Sequence, residues 1–360
     1  MKVVQLYEVA RTAHLERIDG DDEVTLLSRE KRYDFDEAVA GRAKPLRAGF
    51  ISSCRFAIRN DIDIIEVNEP LVTRAAVRSL AFVWAARVRA KLRSRPRPIV
   101  VAYAIANVPS SVLREHLPFK ARMKFELRRP LASLVWASLD RIAYGTADAE
   151  RLYASEFPAR RRADSRLIEA LPVAVPAPDR KDVDERSTVL FLGDLSRRKG
   201  FPDVMAAWPA VRAELPTVRL SIVGRGVGAE EAIKRATHDD RMTVVIDPPR
   251  EHVFAELEKA RVLVLPSRRM PLWREQVGLP IVEGLSHGCV VVTTDQTGIA
   301  AWLSENGHQV IEERRVDRDL APAIVAAAQS ELTADDVRRQ LPDVDGRAAA
   351  RRWLYSGEAG

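Results

Sequence analysis

Apolar residues follow two rhythms along this chain, and the rhythms alternate. Short β-rich runs, "KVVQLYEV", "DEVTLLSRE", "IDIIEVNEP", "PIVVAYAIANVP" and "DRIAYGTA", read as strands or strand ends. Between them lie amphipathic stretches such as "RAAVRSLAFVWAARVRAKL", whose apolar residues recur at three and four. This βαβ alternation predicts a mostly parallel sheet covered by helices on both faces. Around 172 to 187 the pattern breaks into "PVAVPAPDRKDVDERS", rich in proline and charge, which reads as a linker. It then restarts with "TVLFLGDL", "VRLSIVGRG", "MTVVIDPP", "RVLVLPS" and "CVVVTT". The expected organisation is two α/β domains, 1–178 and 187–340, and a tail, 341–360. A helix at 346 to 355 in that tail is expected to pack back on the first domain. Two such units leave a cleft between the carboxyl ends of their strands, where open parallel sheets bind ligands.

Composition narrows the class. The 360 residues, 46% apolar and 30% charged, are those of a soluble globular protein. Two cysteines, Cys54 and Cys289, lie far apart and near no histidine cluster, so neither a disulfide framework nor a zinc site is expected. The first residues form a strand-like run rather than a signal peptide, and no apolar stretch approaches the ~18 residues of a membrane span. A cytoplasmic protein, at most peripheral to the inner face of the plasma membrane, is expected. Its net charge of +6 is uneven: residues 1 to 180 carry roughly +9 and the remainder roughly −3. In the first half, "ARVRAKLRSRPRP" and "PFKARMKFELRRPLASLVW" mix cations with apolar side chains, as surfaces on anionic membranes do. Ordinary solvated helix faces have the same look. The pI of 9.4 suggests nucleic acid, but there is no stacking platform, finger or recognition helix, and no nucleic-acid partner is expected.

The second half concentrates the candidate chemistry. The strand "VLFLG" runs into "DLSRRKG", so Gly193 permits a close turn and Arg197, Arg198 and Lys199 fall between a strand end and a helix start. Three cations there suit a phosphate, because a helix N-terminus adds amide donors and positive dipole; a solvated basic turn has the same composition. In "IVGRGVG", Gly224 and Gly226 let a ring or ribose approach the backbone. A loop follows "RVLVLPS", of the kind usually tied to function inside a compact domain. Then comes "EQVGLPIVEGLSHG", where Gly278 and Pro280 predict a helix beginning near Pro280. Glu275 falls in the loop before that helix, near a sugar hydroxyl or a developing positive charge, with the amides of Gln276, Val277, Gly278 and Leu279 beside it. Glu283 falls in the first turn, able to accept hydrogen bonds from a ribose diol, or merely to complement the helix dipole.

In this order, "GDLSRRKG", "IVGRG", "LVLPS", "EQVGLPIVEGLSHG" and "VVVTT" resemble the donor-binding domain of family 4 glycosyltransferases, with the paired glutamates matching the E-x7-E motif. The resemblance covers residues 187 to 330 well, and the first half only in architecture and in "DRIAYGTADAERL". It implies the GT-B fold: two Rossmann-like domains facing each other across a cleft. It also implies a retaining, metal-independent transfer of a hexose from a nucleotide diphosphate sugar to a polysaccharide, glycolipid or other cell-envelope acceptor. Lys199 and one of Arg197 or Arg198 would neutralise the leaving diphosphate. Glu283 would hold the ribose, and Glu275 with the amides of 276 to 279 would hold the donor sugar. Gly224, Gly226 and the segment near Asp247 would frame the base. Two departures stand out: Asp194 where the family usually has arginine, and no histidine in "AYAIANVPSS". Asn107 is the nearest polar candidate for that catalytic position, ahead of Tyr103 and Ser110. His116 reads as a helix residue and His287 as structural. Glu66, Asn68, Glu69 and Tyr103 are the acceptor candidates. Two rival readings keep the fold: a nucleotide-sugar epimerase, and a non-catalytic nucleotide-binding relative.

Overall fold

The computed structural model describes residues 1–10, 23–31, 44–157, 163–177 and 187–357. The chain forms two compact units: Met1–Gly145 with Ala149–Ile168 and Ala348–Gly360, and Thr146–Asp148 with Glu169–Arg347. The core of the linker expected over 172 to 187, residues 178–186, lies outside the described residues.

Unit 1 is built on β1 (Lys2–Ala10), β2 (Glu23–Lys31), β3 (Lys44–Arg47), β4 (Ile64–Val67), β5 (Ile99–Ala104), β6 (Arg141–Tyr144) and β7 (Asp164–Leu167). They pair in parallel in the order β3-β2-β1-β4-β5-β6-β7. Parallel neighbours need crossovers; among the described residues these contain α1 (Phe50–Arg59), α2 (Ala76–Leu92), α3 (Ser110–His116), α4 (Phe119–Ser138) and α5 (Ala147–Glu156). Because side chains alternate along a strand, Leu6, Ile65 and Val100 meet Phe82, Trp136 and Tyr153 of the helical layer. Val3, Ile64 and Val101 face the other way, where Ala350, Leu354 and Tyr355 of the C-terminal helix (Gly346–Ser356) cover them.

That second face also holds a carboxylate. Glu66, 1% exposed on β4, accepts hydrogen bonds from Tyr7 Oη at 2.6 Å, Gln5 Nε2 at 3.1 Å and Tyr355 Oη at 2.6 Å. Several donors are what a buried charge requires, and one of them comes from the last helix.

Unit 2 contains β8 (Thr188–Asp194), β9 (Arg219–Arg225), β10 (Met242–Ile246), β11 (Ala260–Leu265), β12 (Val290–Thr294) and β13 (Gln309–Ile311). These parallel strands lie in the order β10-β9-β8-β11-β12-β13. The connecting helices are α6 (Phe201–Glu214), α7 (Ala229–Ala236), α8 (Arg250–Lys259), α9 (Leu279–Ser286) and α10 (Ala300–Glu305), followed by α11 (Val316–Ala328) and α12 (Ala334–Arg339). Val262 to Leu265 of β11 are fully buried, as a central strand covered on both faces must be.

His308, just before β13, is buried, and its Nδ1 accepts the Val291 N–H at 3.1 Å. Burial pushes its pKa down from 6.5 to about 4. The folded state therefore refuses a proton that the unfolded chain accepts, so stability falls as pH drops from 6.5 to about 4. A shift of this size is worth about 3 kcal/mol. The variant His308→Gln should flatten that part of the pH–stability curve in urea titrations.

Candidate functional site

The tips of β8 and β9 are built for close approach. Gly193 and Gly224 are register partners, and a Cβ on Gly224, whose φ is +156°, would lie 1.8 Å from the Gly193 carbonyl oxygen. A Cβ on Gly226 would lie 2.6 Å from Asp194 Oδ1. Asp247, in the left-handed region at φ +49°, donates its N–H to the Gly224 carbonyl at 2.9 Å, and its exposed carboxylate faces Arg225 at 3.5 Å.

After β8, Arg197–Lys199 form one 3-10 turn, and Gly200 at φ +73° packs so tightly on Pro266 that a Cβ would sit 2.1 Å from its carbonyl oxygen. The Arg268 N–H donates to the Arg198 carbonyl at 2.9 Å. These contacts bring the turn after β8 beside the loop leaving β11, and three residues meet there. Lys199 Nζ donates to Glu275 Oε2, to which Ser267 Oγ also donates at 3.2 Å. Lys199 and Glu275 are each 8% exposed. Trp273 lies beneath the cations: the Arg198 guanidinium is 4.5 Å and the Lys199 ammonium 5.3 Å from its ring centroid, within cation–π range. Asp194 points at Arg198, Oδ2 to Nη2 3.2 Å, so this acid is paired with one of the cations. Arg197 is exposed.

The E-x7-E run folds as a loop and a helix. Gly278, at φ +87°, is the cap, and α9 starts at Leu279 with Pro280 second. Glu283 is therefore the fifth helical residue, one position beyond the first turn where the sequence places it. The loop before the helix is pinned from behind: Gly298 N–H donates to the Gln276 carbonyl at 2.9 Å, and Thr297 Oγ1 to the Val277 carbonyl at 3.1 Å. Glu283 faces Arg250 Nη2 at 3.3 Å; burial raises its carboxyl pKa against the pull of that guanidinium. His287 is buried, its Nδ1 2.8 Å from the Glu283 carbonyl and its ring stacked on Phe254.

The remaining candidates belong to unit 1. Asn107 is buried in the segment after β5, and Ser110 donates its N–H to Glu156 at 2.7 Å. A Cβ on Gly145 would meet Tyr103 Oη at 2.1 Å. Asn68 Oδ1 accepts the Glu8 N–H at 2.8 Å, and Glu69 Oε2 accepts from the Ile105 and Ala106 amides and from Tyr153 Oη. Glu66 lies beneath the C-terminal helix rather than at a strand end. His116 bonds a carbonyl of its own helix, Val112, at 2.9 Å. Sequence reasoning passed over Ser267, Trp273 and Arg250. Ser267 stands in the quoted "LVLPS", but Trp273 and Arg250 leave no pattern to find.

Among solved structures, the chain is similar to HepE from Anabaena in complex with UDP, 12% identical over 99% of this chain and 98% of that one, at a TM-score of 0.65. The fold is GT-B. Within it, residues 186–330 match the family model described as "Glycosyl transferases group 1". Two curated relatives align with part of the chain. One is "GDP-mannose:cellobiosyl-diphosphopolyprenol alpha-mannosyltransferase" of Xanthomonas oryzae pv. oryzae, 28% identical over 42% of this chain and 40% of its own length. The other is "GDP-mannose-dependent alpha-(1-6)-phosphatidylinositol monomannoside mannosyltransferase" of Mycobacterium tuberculosis, 30% identical over 47% and 43%. The chain thus spans about two fifths of the length of the curated relatives it matches.

Proposed function

We propose that this protein is a glycosyltransferase that moves a hexose, with retention and without a metal, from a nucleotide diphosphate sugar to a lipid-linked or other cell-envelope glycan. The observation that carries this reading is the buried Lys199–Glu275 pair, set with Arg198 over Trp273 at a strand-to-helix turn inside the stretch that matches group 1 glycosyl transferases. As the bond from the anomeric carbon to the diphosphate oxygen breaks, the electron pair leaves with the diphosphate. Lys199 and Arg198 favour that growing negative charge over the ground state. Glu275 faces the positive charge developing on the sugar, and Glu283 accepts from the ribose diol once Arg250 yields. The acceptor oxygen bonds to the anomeric carbon on the face the diphosphate leaves, and its proton passes to a diphosphate oxygen. No side-chain nucleophile is used. Asn107 and Tyr103 are the unit 1 residues assigned to the reacting groups, with Asn68 and Glu69 near the acceptor.

The curated relatives named above carry GDP-mannose and lipid-linked acceptors in their names, so GDP-mannose is the first donor to try and UDP-glucose the second. The test is NMR of the product formed from an α-linked donor with a polyprenol-linked glycan acceptor. An α-linked product is expected. A β-linked product would overturn retention, and an altered sugar nucleotide formed without acceptor would favour an epimerase.

A further inference from the structure

Two helices of unit 1 are apolar on the side that should be polar. α2 and α4 pack side by side in one layer, and their inner faces bury Phe82, Val83, Val135 and Trp136. A helix of this kind is expected to present charge outward. Instead α2 exposes Val77, Trp84, Val88 and Leu92, spaced seven, four and four, with Trp84 70% and Leu92 81% exposed. α4 exposes Phe119, Met123, Leu127 and Leu134, spaced four, four and seven, with Phe119 78% and Leu127 71% exposed. At about 100° per residue each set falls in one narrow stripe, within roughly 80° of arc. The α4 stripe runs along a helix about 30 Å long. Exposed apolar side chains aligned on this scale mark an interaction site rather than ordinary solvent contact.

The charges say what the partner is. Along α4, Lys120 and Lys124 flank the stripe on one side and Arg122 on the other, all three exposed. α1 and α2 carry no Asp or Glu, and α4 carries only Glu126, which faces Arg114 at 3.8 Å. A second copy docked on this face would set cations against cations. An anionic lipid leaflet instead supplies headgroup charge to the lysines and arginine and an apolar interior to the stripes, as cationic side chains with long stems allow. No helix among the described residues is long and apolar enough to cross a membrane.

We propose that the outer face of α2 and α4 lies flat on an anionic membrane surface, with Trp84, Leu92, Phe119 and Leu127 entering the headgroup–acyl boundary and Lys120, Arg122 and Lys124 among the headgroups. This docking stands apart from the donor-site reading: it uses none of that site's residues and would hold for a silent relative.

The test is co-sedimentation of the full chain with phosphatidylcholine vesicles, with and without about one third phosphatidylglycerol. Binding to the anionic vesicles alone, weakened by high salt, is expected. Each surface cation is worth about fivefold in partitioning, so Lys120→Glu with Lys124→Glu should lose 25-fold or more. Phe119→Ser with Leu127→Ser should lose at least tenfold with the unfolding midpoint unchanged. Should the latter pair fail to fold, the blue shift of tryptophan fluorescence on vesicles serves instead, and it should vanish in Trp84→Phe. No capture by anionic vesicles overturns the proposal, as does capture that survives the serine pair. A dimer broken by that pair without vesicle binding would assign the face to a second copy. Salt-dependent binding to random oligonucleotides with no vesicle capture would assign it to nucleic acid.

Discussion

Replacing Lys199 with methionine is expected to lower sugar transfer by about a thousandfold, and restoring the stability it costs is expected not to restore the rate. Lys199 is buried with its ammonium on Glu275 and its positive charge close to Arg198 and Trp273. Taking away the cation leaves a buried carboxylate without its counter-charge, a change that typically costs about 3–5 kcal/mol. The activity loss has a separate origin. A preorganised group aimed at charge that grows in the transition state contributes about 10²–10³ in rate, and a leaving diphosphate carries more charge than one oxyanion. The two effects part company in Lys199→Met with Glu275→Gln, which removes both charges together and should regain most of the stability. Thermal unfolding and kcat measured on the single and double variants check this. A double variant that recovers both would mean that the pair is structural.

Gly224→Ala is the substitution expected to harm the fold most. The new methyl group would overlap the Gly193 carbonyl at 1.8 Å, and φ at +156° suits only glycine. The clash is backbone against backbone at the paired tips of β8 and β9, where the Asp247 N–H also bonds the Gly224 carbonyl. Relief would require the strands to part at the edge of the proposed donor site. A loss of about 3 kcal/mol or more is expected, which for a unit of this size lowers Tm by about 10 °C. Gly49→Ala, at φ −76° with nothing nearer than 4.0 Å, is the matched control and should change Tm little. If the two variants melt together, the close approach at Gly224 is not rigid.

Much of this architecture was legible because parallel strands are buried on both faces and announce themselves as apolar runs. The strands that escaped, β3, β7 and β13, are short edges; "KPLR" carries a proline and "DSRL" is mostly exposed, so neither shows a burial rhythm. Glycine and proline placed the start of α9 and put Glu275 in a loop and Glu283 on a helix. The partners of those glutamates were not legible, because Lys199 reaches Glu275 from the 3-10 turn after β8 and Arg250 reaches Glu283 from α8. Trp273 had no signal at all: a tryptophan in an irregular loop carries no periodicity. From the sequence, Glu66 stands near the end of a strand, facing a ligand. Its alternation with Ile64 instead turns it toward a helix almost three hundred residues further on, and no local pattern encodes that.

In the proposed reading, Glu283 and Lys199 define a nucleotide diphosphate sugar site. Isothermal titration of the wild type and of Glu283→Ala with GDP, UDP, ADP and dTDP, with EDTA present, checks this. One nucleotide is expected to bind the wild type, with Glu283→Ala weakening it at least tenfold and the chelator making no difference. Binding that survives the loss of Glu283, or no binding by any nucleotide, would contradict it.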